Sequence, residues 1–177
     1  MIRDEIIQLI KTYSLRPQNS VSIKQMVDFS KTPSAITLLR GSHFVHREIP
    51  IRLAHRVVEL EHLPYNLSDM PSIKTVKEWY SLSFQELLDL REYKLPDDVK
   101  LNRAYFQNGK GEIDADGMEY IKTFTKCIEK IKTRHDPTQM AISQGIIELK
   151  ETWKANNNSM LENELLPTAI QAFLDRF

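Results

Sequence analysis

Apolar residues recur every three to four positions along most of this chain, which is the spacing of one face of an α-helix. Glycine occurs only 5 times in 177 residues, and residues 94–117, where three glycines cluster, are predicted to form a loop. Few glycines and few hairpin signals argue against strands. The pattern therefore predicts an all-α fold, a four-helix bundle with short N-terminal helices. The longer helical patterns run over 34–63, 71–88, 118–135, from 138 onward, and 165–177.

Two of these stretches carry polar side chains on the face that should point inward. Arg47, Arg52 and His55 are interleaved with aliphatic residues over 47–55, and Tyr80 and Ser83 lie among large apolar residues of the next helix. Packing alone does not require polar groups there, because a buried polar group is unfavourable unless it has a hydrogen-bond partner. The pattern therefore indicates a bundle that surrounds a bound molecule.

The charge balance and the cysteine content exclude several functions. Lys+Arg and Asp+Glu are 24 each, so the chain lacks the positive excess behind non-specific nucleic-acid binding. No apolar run approaches the roughly 20 residues of a membrane-spanning helix. The single cysteine, Cys127, excludes an internal disulfide and is expected to be a small core residue. Because no secretory signal or typical transit peptide is visible, we expect either a cytosolic chain or a targeting segment outside this sequence.

Three further patterns carry a weaker chemical signal. His43 and His46 have the i, i+3 spacing of a metal-binding pair, but no third ligand is evident and we expect surface histidines. Residues 112–117 begin like a calcium-binding loop, but position twelve is Thr123, where a bidentate glutamate is required. His135 lies at the end of a helix, where an orienting or switching role is expected rather than that of a general base.

Several motifs follow one another from about Val21 to the last residue. They are Arg47-Glu-Ile-Pro-Ile-Arg-Leu-Ala54, Trp79-Tyr80, Arg134-His135-Asp136, Gln144-Gly145 and Ile170-Gln-Ala-Phe-Leu-Asp-Arg-Phe177. In order and spacing they resemble the N-terminal domain of the mitochondrial 2-oxoacid dehydrogenase kinases, the pyruvate and branched-chain dehydrogenase kinase family. The resemblance implies one regulatory and substrate-docking helical bundle over 1–177, with its last helix truncated.

The resemblance also implies that regulation and phosphoryl transfer belong to two different domains. Members of the family carry a C-terminal domain of the histidine-kinase/Hsp90 type, which binds Mg-ATP and supplies a glutamate base, and they phosphorylate serines on the E1 component of the dehydrogenase complex. No glycine-rich phosphate-binding motif occurs here, since Gly109 and Gly111 are an isolated pair. We therefore expect that the ATP-binding domain is absent from this chain, that the chain holds no cofactor, and that alone it phosphorylates nothing. The implied location is the mitochondrial matrix, and the expected target is the pyruvate complex.

A pocket inside the bundle is the first site that the resemblance implies, and in the family it binds small 2-oxoacid-like anions that inhibit the kinase. A cation, a hydroxyl group and an imidazole between apolar walls suit such an anion. Lys132 stands where pyruvate-type members usually carry arginine, and the Ser-Arg pair that completes the pocket would follow Phe177. The alternative is that Tyr80 and Ser83 are buried helix residues with local hydrogen bonds and that Lys132 is solvated. The matching positions are Leu53, Tyr80, Ser83, Ile131, Lys132 and His135.

A hydrophobic slot for the lipoyl-lysine arm of the acyltransferase lipoyl domain is the second implied site. The matching positions are Val21, Met26, Phe29 and Phe44, and all four are apolar. The alternative for these residues is ordinary core packing. A second interpretation of the whole chain is a non-catalytic helical module that docks the lipoyl domain. The implied partners are the lipoyl domain, the E1 component and an ATP-binding domain in the same or a separate chain; nucleic acid and membranes are not among them.

Overall fold

The computed structural model describes residues 4–31, 34–90 and 113–155, except for the side chains of 28–30. Every regular element in these ranges is helical, which confirms the all-α prediction, and none of these helices combines the length and apolarity needed to cross a membrane. The predicted helix over 165–177 and most of the loop predicted over 94–117 lie outside the described residues. The elements are α1 (Asp4–Ser14), α2 (Ile23–Lys31), α3 (Ala35–Glu61), a 3-10 helix (Pro64–Asp69), α4 (Pro71–Asp89), α5 (Ala115–His135) and α6 (Thr138–Ala155).

Short-range hydrogen bonds determine where two of the long helices begin. Ser34 Oγ accepts from Thr37 N at 3.1 Å at the start of α3, and Asp114 Oδ1 accepts from Gly117 N at 2.8 Å at the start of α5. Each bond satisfies one of the amides that the first turn of a helix leaves unpaired. Because Asp114 caps it, α5 begins slightly earlier than the sequence pattern predicted.

The start of α4 is capped by a different helix. Its N-cap residue, Met70, makes no side-chain cap bond. Instead, Glu148 of α6 accepts from Ser72 N at 3.1 Å and from Ser72 Oγ at 2.5 Å. A carboxylate at this position is also favoured by the dipole of α4. The pair therefore fixes the N-terminal end of α4 against α6.

Gly145 allows α6 to approach α4 at the same junction. It is buried, and a Cβ atom built on it would lie 2.7 Å from Cγ1 and 2.8 Å from Cδ1 of Ile73. Contacts this short are repulsive, so a larger residue would require the two helices to move apart. The close packing of α6 against α4 therefore explains the glycine of the Gln144-Gly145 motif.

The central helix of the described structure is α4, which packs against α1, α3, α5 and α6. Its inward face contributes Val76, Phe84 and Leu87, each 0% exposed. Tyr13 of α1 meets the ring of Phe84 edge-on, with 5.2 Å between the ring centroids. Ser83 lies on this helix and is likewise 0% exposed, so its hydroxyl group must find its hydrogen-bond partners within the protein.

Candidate functional site

The first polar cluster lies on α3 and holds the segment between α1 and α2. Glu48 is 4% exposed and accepts from Asn19 N at 2.8 Å and from Asn19 Nδ2 at 2.9 Å. Arg52 lies 3.2 Å from the Glu48 carboxylate and donates to Asn19 O at 2.7 Å. One turn later, His55 Nε2 donates to Arg16 O at 2.9 Å. We call these five residues the α3 clasp.

The α3 clasp pairs its polar groups within the chain. Glu48 and Arg52 balance each other's charge, and the arginine and histidine both bind main-chain oxygens. Arg52 and His55 therefore contact main-chain groups of the neighbouring segment, and these contacts within the chain account for their polarity. Glu48 was not among the residues predicted from the sequence, although its i, i+4 spacing to Arg52 is that of a helical ion pair.

The two histidines at i, i+3 spacing are buried. His43 and His46 are 7% and 8% exposed, so the expectation of surface histidines is wrong. A carbonyl oxygen only accepts, so His46 Nε2 donates to Leu87 O at 2.9 Å, and in the neutral ring Nδ1 accepts from Tyr120 Oη at 2.9 Å. His46 therefore connects α3, α4 and α5. Within 4–31, 34–90 and 113–155, no three His, Cys, Asp or Glu side chains are placed to hold a metal ion.

The second polar cluster joins α4 to the C-terminal part of α5. The buried Ser83 Oγ lies 2.7 Å from Arg134 Nη1 and 3.0 Å from His135 Nε2. Arg134 Nη2 lies 2.8 Å from both carboxylate oxygens of Glu86. Lys130 Nζ donates to Glu86 Oε1 at 2.7 Å. We call these five residues the Ser83 cluster.

The hydroxyl group of Ser83 is saturated with hydrogen bonds. It donates to Trp79 O, one turn earlier in α4, at 2.8 Å. A hydroxyl has one proton to donate and two lone pairs that accept, and the lone pairs receive Arg134 Nη1 and His135 Nε2. Because the Ser83 proton points to Trp79, the neutral His135 ring must carry its proton on Nε2.

The rings of Tyr80 and His135 stack beside this cluster, with 4.3 Å between their centroids and 26° between their planes. Burial lowers the pKa of His135, and the charge of Arg134 lowers it further, while the hydrogen bond to Trp79 O opposes the shift. Burial raises the pKa of Tyr80 against the opposing charge of Arg56. Both rings are therefore neutral near neutral pH.

Two cations share one carboxylate in the Ser83 cluster. Burial by itself raises the pKa of Glu86, but hydrogen bonds and charges from Lys130 and Arg134 outweigh it, and the net pKa is lowered. With Glu86 ionised and His135 neutral, two positive charges minus one negative charge leave a net charge of +1. The Arg134 side chain is 13% exposed and that of Lys130 is 64% exposed, so the less hydrated cation lies beside Ser83. A poorly hydrated cation of this kind suits a small anion.

The predicted anion-pocket residues are distributed between the core, the Ser83 cluster and the surface. Ser83 and His135 contact each other. Lys132, the predicted cation, is exposed, and Arg134 is the cation that contacts Ser83. The sequence offered a signal for Arg134, because it lies three positions, about one helical turn, after the apolar Ile131. The remaining predicted residues belong to the apolar core: Leu53, Tyr80 and Ile131.

Cys127 lies one turn before the Ser83 cluster on α5. It is half-buried and packs against the apolar core, as predicted. Burial and the nearby Glu86 carboxylate raise the pKa of its thiol, although Lys130 and Arg134 oppose the shift. Because the thiolate is the reactive form, this environment does not activate Cys127 as a nucleophile.

The predicted lipoyl-docking residues lie in the N-terminal part of the molecule. Val21 is half-buried just before α2, and Phe29 belongs to α2 with its side chain outside the described residues. Met26 of α2 and Phe44 of α3 are 58% and 43% exposed. Ordinary core packing therefore does not account for Met26 and Phe44.

The chain is similar to proteins of one known family over most of its length. Residues 20–177 match the family described as mitochondrial branched-chain alpha-ketoacid dehydrogenase kinase. The chain belongs to this family. The mitochondrial pyruvate dehydrogenase (acetyl-transferring) kinase of Arabidopsis thaliana is 32% identical over 177 residues, which cover 100% of this chain and 40% of that relative. Human isozyme 3 of the same kinase is 29% identical over 177 residues, which cover 100% of this chain and 36% of the isozyme.

The Schizosaccharomyces pombe kinase of the same name is 28% identical over 214 residues, covering 98% of this chain and 47% of that relative. The chain thus spans less than half the length of these relatives. The family match includes all of the Ser83 cluster and the α3 residues of the clasp, since it begins at residue 20. The resemblance stated from the motifs is therefore confirmed at the level of the family.

Proposed function

We propose that this chain is the regulatory, substrate-docking helical domain of a mitochondrial 2-oxoacid dehydrogenase kinase of the pyruvate type. The observation that carries this proposal is membership of the family over 20–177, together with similarity along the chain to pyruvate dehydrogenase kinases. The domain would act in the mitochondrial matrix, dock on the dehydrogenase complex and control phosphorylation of serines on its E1 component.

Phosphoryl transfer itself belongs, in this proposal, to a domain outside these residues. The reaction requires a metal ion, positioned phosphates and stabilisation of developing charge. The chain carries no glycine-rich phosphate-binding run, and its similar relatives are more than twice as long. We propose that Mg-ATP binds the other domain and that this chain alone has no kinase activity. An assay with E1 and Mg-ATP tests this, and turnover by this chain alone would contradict it.

A small 2-oxoacid anion is the proposed regulatory ligand, bound at the Ser83 cluster. The net positive charge of the cluster and the low exposure of Arg134 support this assignment, as do the apolar side chains of Leu53, Tyr80 and Ile131 in the adjoining core. A ligand bound there would contact both α4 and α5 and would favour the relative placement of the two helices that it fits best.

Titration with pyruvate tests the anion site. Calorimetry or NMR is expected to show saturable binding of pyruvate by the 177-residue chain. Methyl pyruvate, which has the same carbon skeleton without the charge, is the matched ligand and is expected not to bind. Equal binding of both compounds would contradict an anion site.

The proposed docking partner is the lipoyl domain of the acyltransferase, bound through apolar residues around α2. Exposure of Met26 and Phe44 supports this proposal, and it equally supports the second candidate, a non-catalytic module that binds the lipoyl domain. Titration with lipoylated and unlipoylated lipoyl domain tests both candidates. We expect lipoyl-dependent binding that Met26→Glu abolishes and that Met140→Glu, on the exposed face of α6, leaves intact. Absence of lipoyl-dependent binding would remove both docking proposals.

The two candidates differ in their dependence on the rest of the kinase. Under the kinase-domain proposal, adding the ATP-binding part of a family member in trans is expected to change the affinity for the lipoyl domain. Under the second candidate the affinity is expected to be the same with and without that part. The comparison therefore separates a regulatory domain from an independent binding module.

A further inference from the structure

We propose that Arg134 is the residue that binds the anion at the Ser83 cluster and that Glu86 is a built-in competitor that sets the affinity. The proposal rests on the anion-binding function proposed above and names the residues that determine its strength. Three features of the cluster carry it: the saturation of Ser83, the position of the Glu86 carboxylate and the second cation, Lys130.

Ser83 is unsuited to contact an anion in this arrangement. Its one proton points to Trp79 O, and both lone pairs already accept from Arg134 and His135. A carboxylate needs donors, and Ser83 has none left to offer. Lys132 is exposed to solvent, whereas the Arg134 side chain is only 13% exposed. Arg134, with its positive charge and five N–H donors, is therefore the anion contact.

Glu86 occupies the place that a ligand carboxylate would take. Both of its carboxylate oxygens lie 2.8 Å from Arg134 Nη2. A second carboxylate cannot take the same donor while Glu86 holds it, because two like charges at this distance repel each other. An anion that binds at Nη2 must therefore displace Glu86 from this nitrogen, and the free energy of that displacement lowers the apparent affinity.

Lys130 gives Glu86 an alternative partner after displacement. Lys130 Nζ already donates to Glu86 Oε1 at 2.7 Å, and its side chain is 64% exposed, so it is free to follow the carboxylate. With Glu86 held by Lys130 alone, Arg134 keeps its bond to Ser83 and offers Nη2 to the ligand. The net charge of the cluster then falls from +1 to 0 when a monoanion binds. The exchange therefore leaves no carboxylate without a cation.

The dissociation constant for pyruvate, measured in the 177-residue chain and its variants near neutral pH and at fixed low salt, tests this arrangement. Glu86→Gln keeps the shape of the side chain and removes the competing charge, so it is expected to tighten binding about tenfold. Lys130→Met removes the alternative partner and is expected to weaken binding roughly threefold. Arg134→Met is expected to abolish binding. Glu151→Gln, which removes an exposed carboxylate on α6, is the matched control and should leave the dissociation constant unchanged.

Whether Glu86→Gln tightens or weakens pyruvate binding decides whether Glu86 competes with the anion for Arg134 or supports anion binding. If the original chain binds pyruvate and Glu86→Gln binds equally or more weakly, Glu86 orients Arg134 rather than competing for it, and the proposal is overturned. Should Glu86→Gln fail to fold by circular dichroism, unchanged or tighter binding in Lys130→Met overturns it instead. If neither the original chain nor any folded variant binds pyruvate, the anion-binding function fails together with this proposal.

Discussion

The α3 clasp and the Ser83 cluster use the same kinds of side chain but differ in what they leave unbalanced. Each combines the side chains of a carboxylate, an arginine and a histidine, which lie on α3 alone in the clasp and on α4 and α5 in the Ser83 cluster. In the clasp, the side chains of Glu48 and Arg52 balance each other, Arg16 contributes only its main-chain oxygen, and main-chain groups between α1 and α2 complete the remaining bonds. In the Ser83 cluster, Arg134 and Lys130 share Glu86, so one positive charge remains. The hydrogen bonds of both clusters are completed within the chain, and the excess positive charge is what makes the Ser83 cluster the candidate ligand site.

Glu48→Gln is expected to have the largest effect on stability. The carboxylate is buried and accepts from Asn19 N, Asn19 Nδ2 and Arg52, whereas a glutamine amide nitrogen would face these donors with another donor. We expect the free energy of unfolding to fall by about 2 kcal/mol, measured by urea denaturation. The exposed Glu151→Gln should change it by less than about 0.5 kcal/mol. A loss no larger than that of the control would show that the clasp contributes little to folding.

Ser83→Ala is expected to have the second-largest effect on stability and to lower the free energy of unfolding by about 1.5 kcal/mol, because Arg134 and His135 both lose a buried acceptor. Ser81→Ala is the matched control. Ser81 is also buried, at 2% exposed, but its hydroxyl donates to Lys77 O within α4 and not to a neighbouring helix of the described structure. That control should be close to neutral, since alanine is the better helix former. If Ser83→Ala and Ser81→Ala lower the stability equally in thermal or urea unfolding, the hydrogen bonds between α4 and α5 make no net contribution to stability.

Glu86→Gln should destabilise the fold by less than about 1 kcal/mol, because Glu86 is partly exposed and its pairing with Lys130 is solvated. Set beside Glu48→Gln, this variant compares the two clusters directly with the same chemical change. The comparison is contradicted if urea unfolding gives Glu86→Gln the larger loss of the two.

The direction in which stability changes with pH should show that the pKa of His135 is lowered in the folded chain. Because its pKa is lowered in the folded chain, the unfolded chain takes up the proton first as the pH falls below about 6.5. The contribution of His135 is therefore fully present above that pH and is lost progressively below it. We expect the difference in free energy of unfolding between the original chain and His135→Gln to decrease from about pH 7 to about pH 5. A difference that stays constant over this range would refute the assignment.

The helical fold followed from local information, because periodicity and caps depend on neighbouring residues. The same periodicity also bears on which cation faces inward, although Lys132 was the cation predicted. Ile131 is buried, and the positions one turn later are Arg134 and His135, whereas Lys132 lies on another face of α5. The resemblance drew attention to Lys132 because it matched a motif position, and the helical geometry is the better guide to which side chain is placed inward.

The partners of these inward groups could not be predicted from the sequence. Ser83 and Arg134 are separated by 51 positions, and Asn19 and Glu48 by 29. Nothing in a helical pattern states which helix a polar side chain will meet, since that depends on how the helices cross. The cap that Glu148 provides for α4 is of the same kind, because its partner Ser72 is 76 positions away.

The main-chain amide of Asn19 makes the α3 clasp directly observable. This amide lies outside any helix, yet it donates to a buried carboxylate, so its hydrogen exchange should be slow compared with that of Ser20. Exchange at Asn19 then reports how often the segment leading into α2 detaches from α3. A partner that binds α2 in its attached position should slow this exchange, and a partner that requires detachment should accelerate it. One amide resonance would therefore reveal whether a docking event uses the N-terminal helices as they stand or pulls them away.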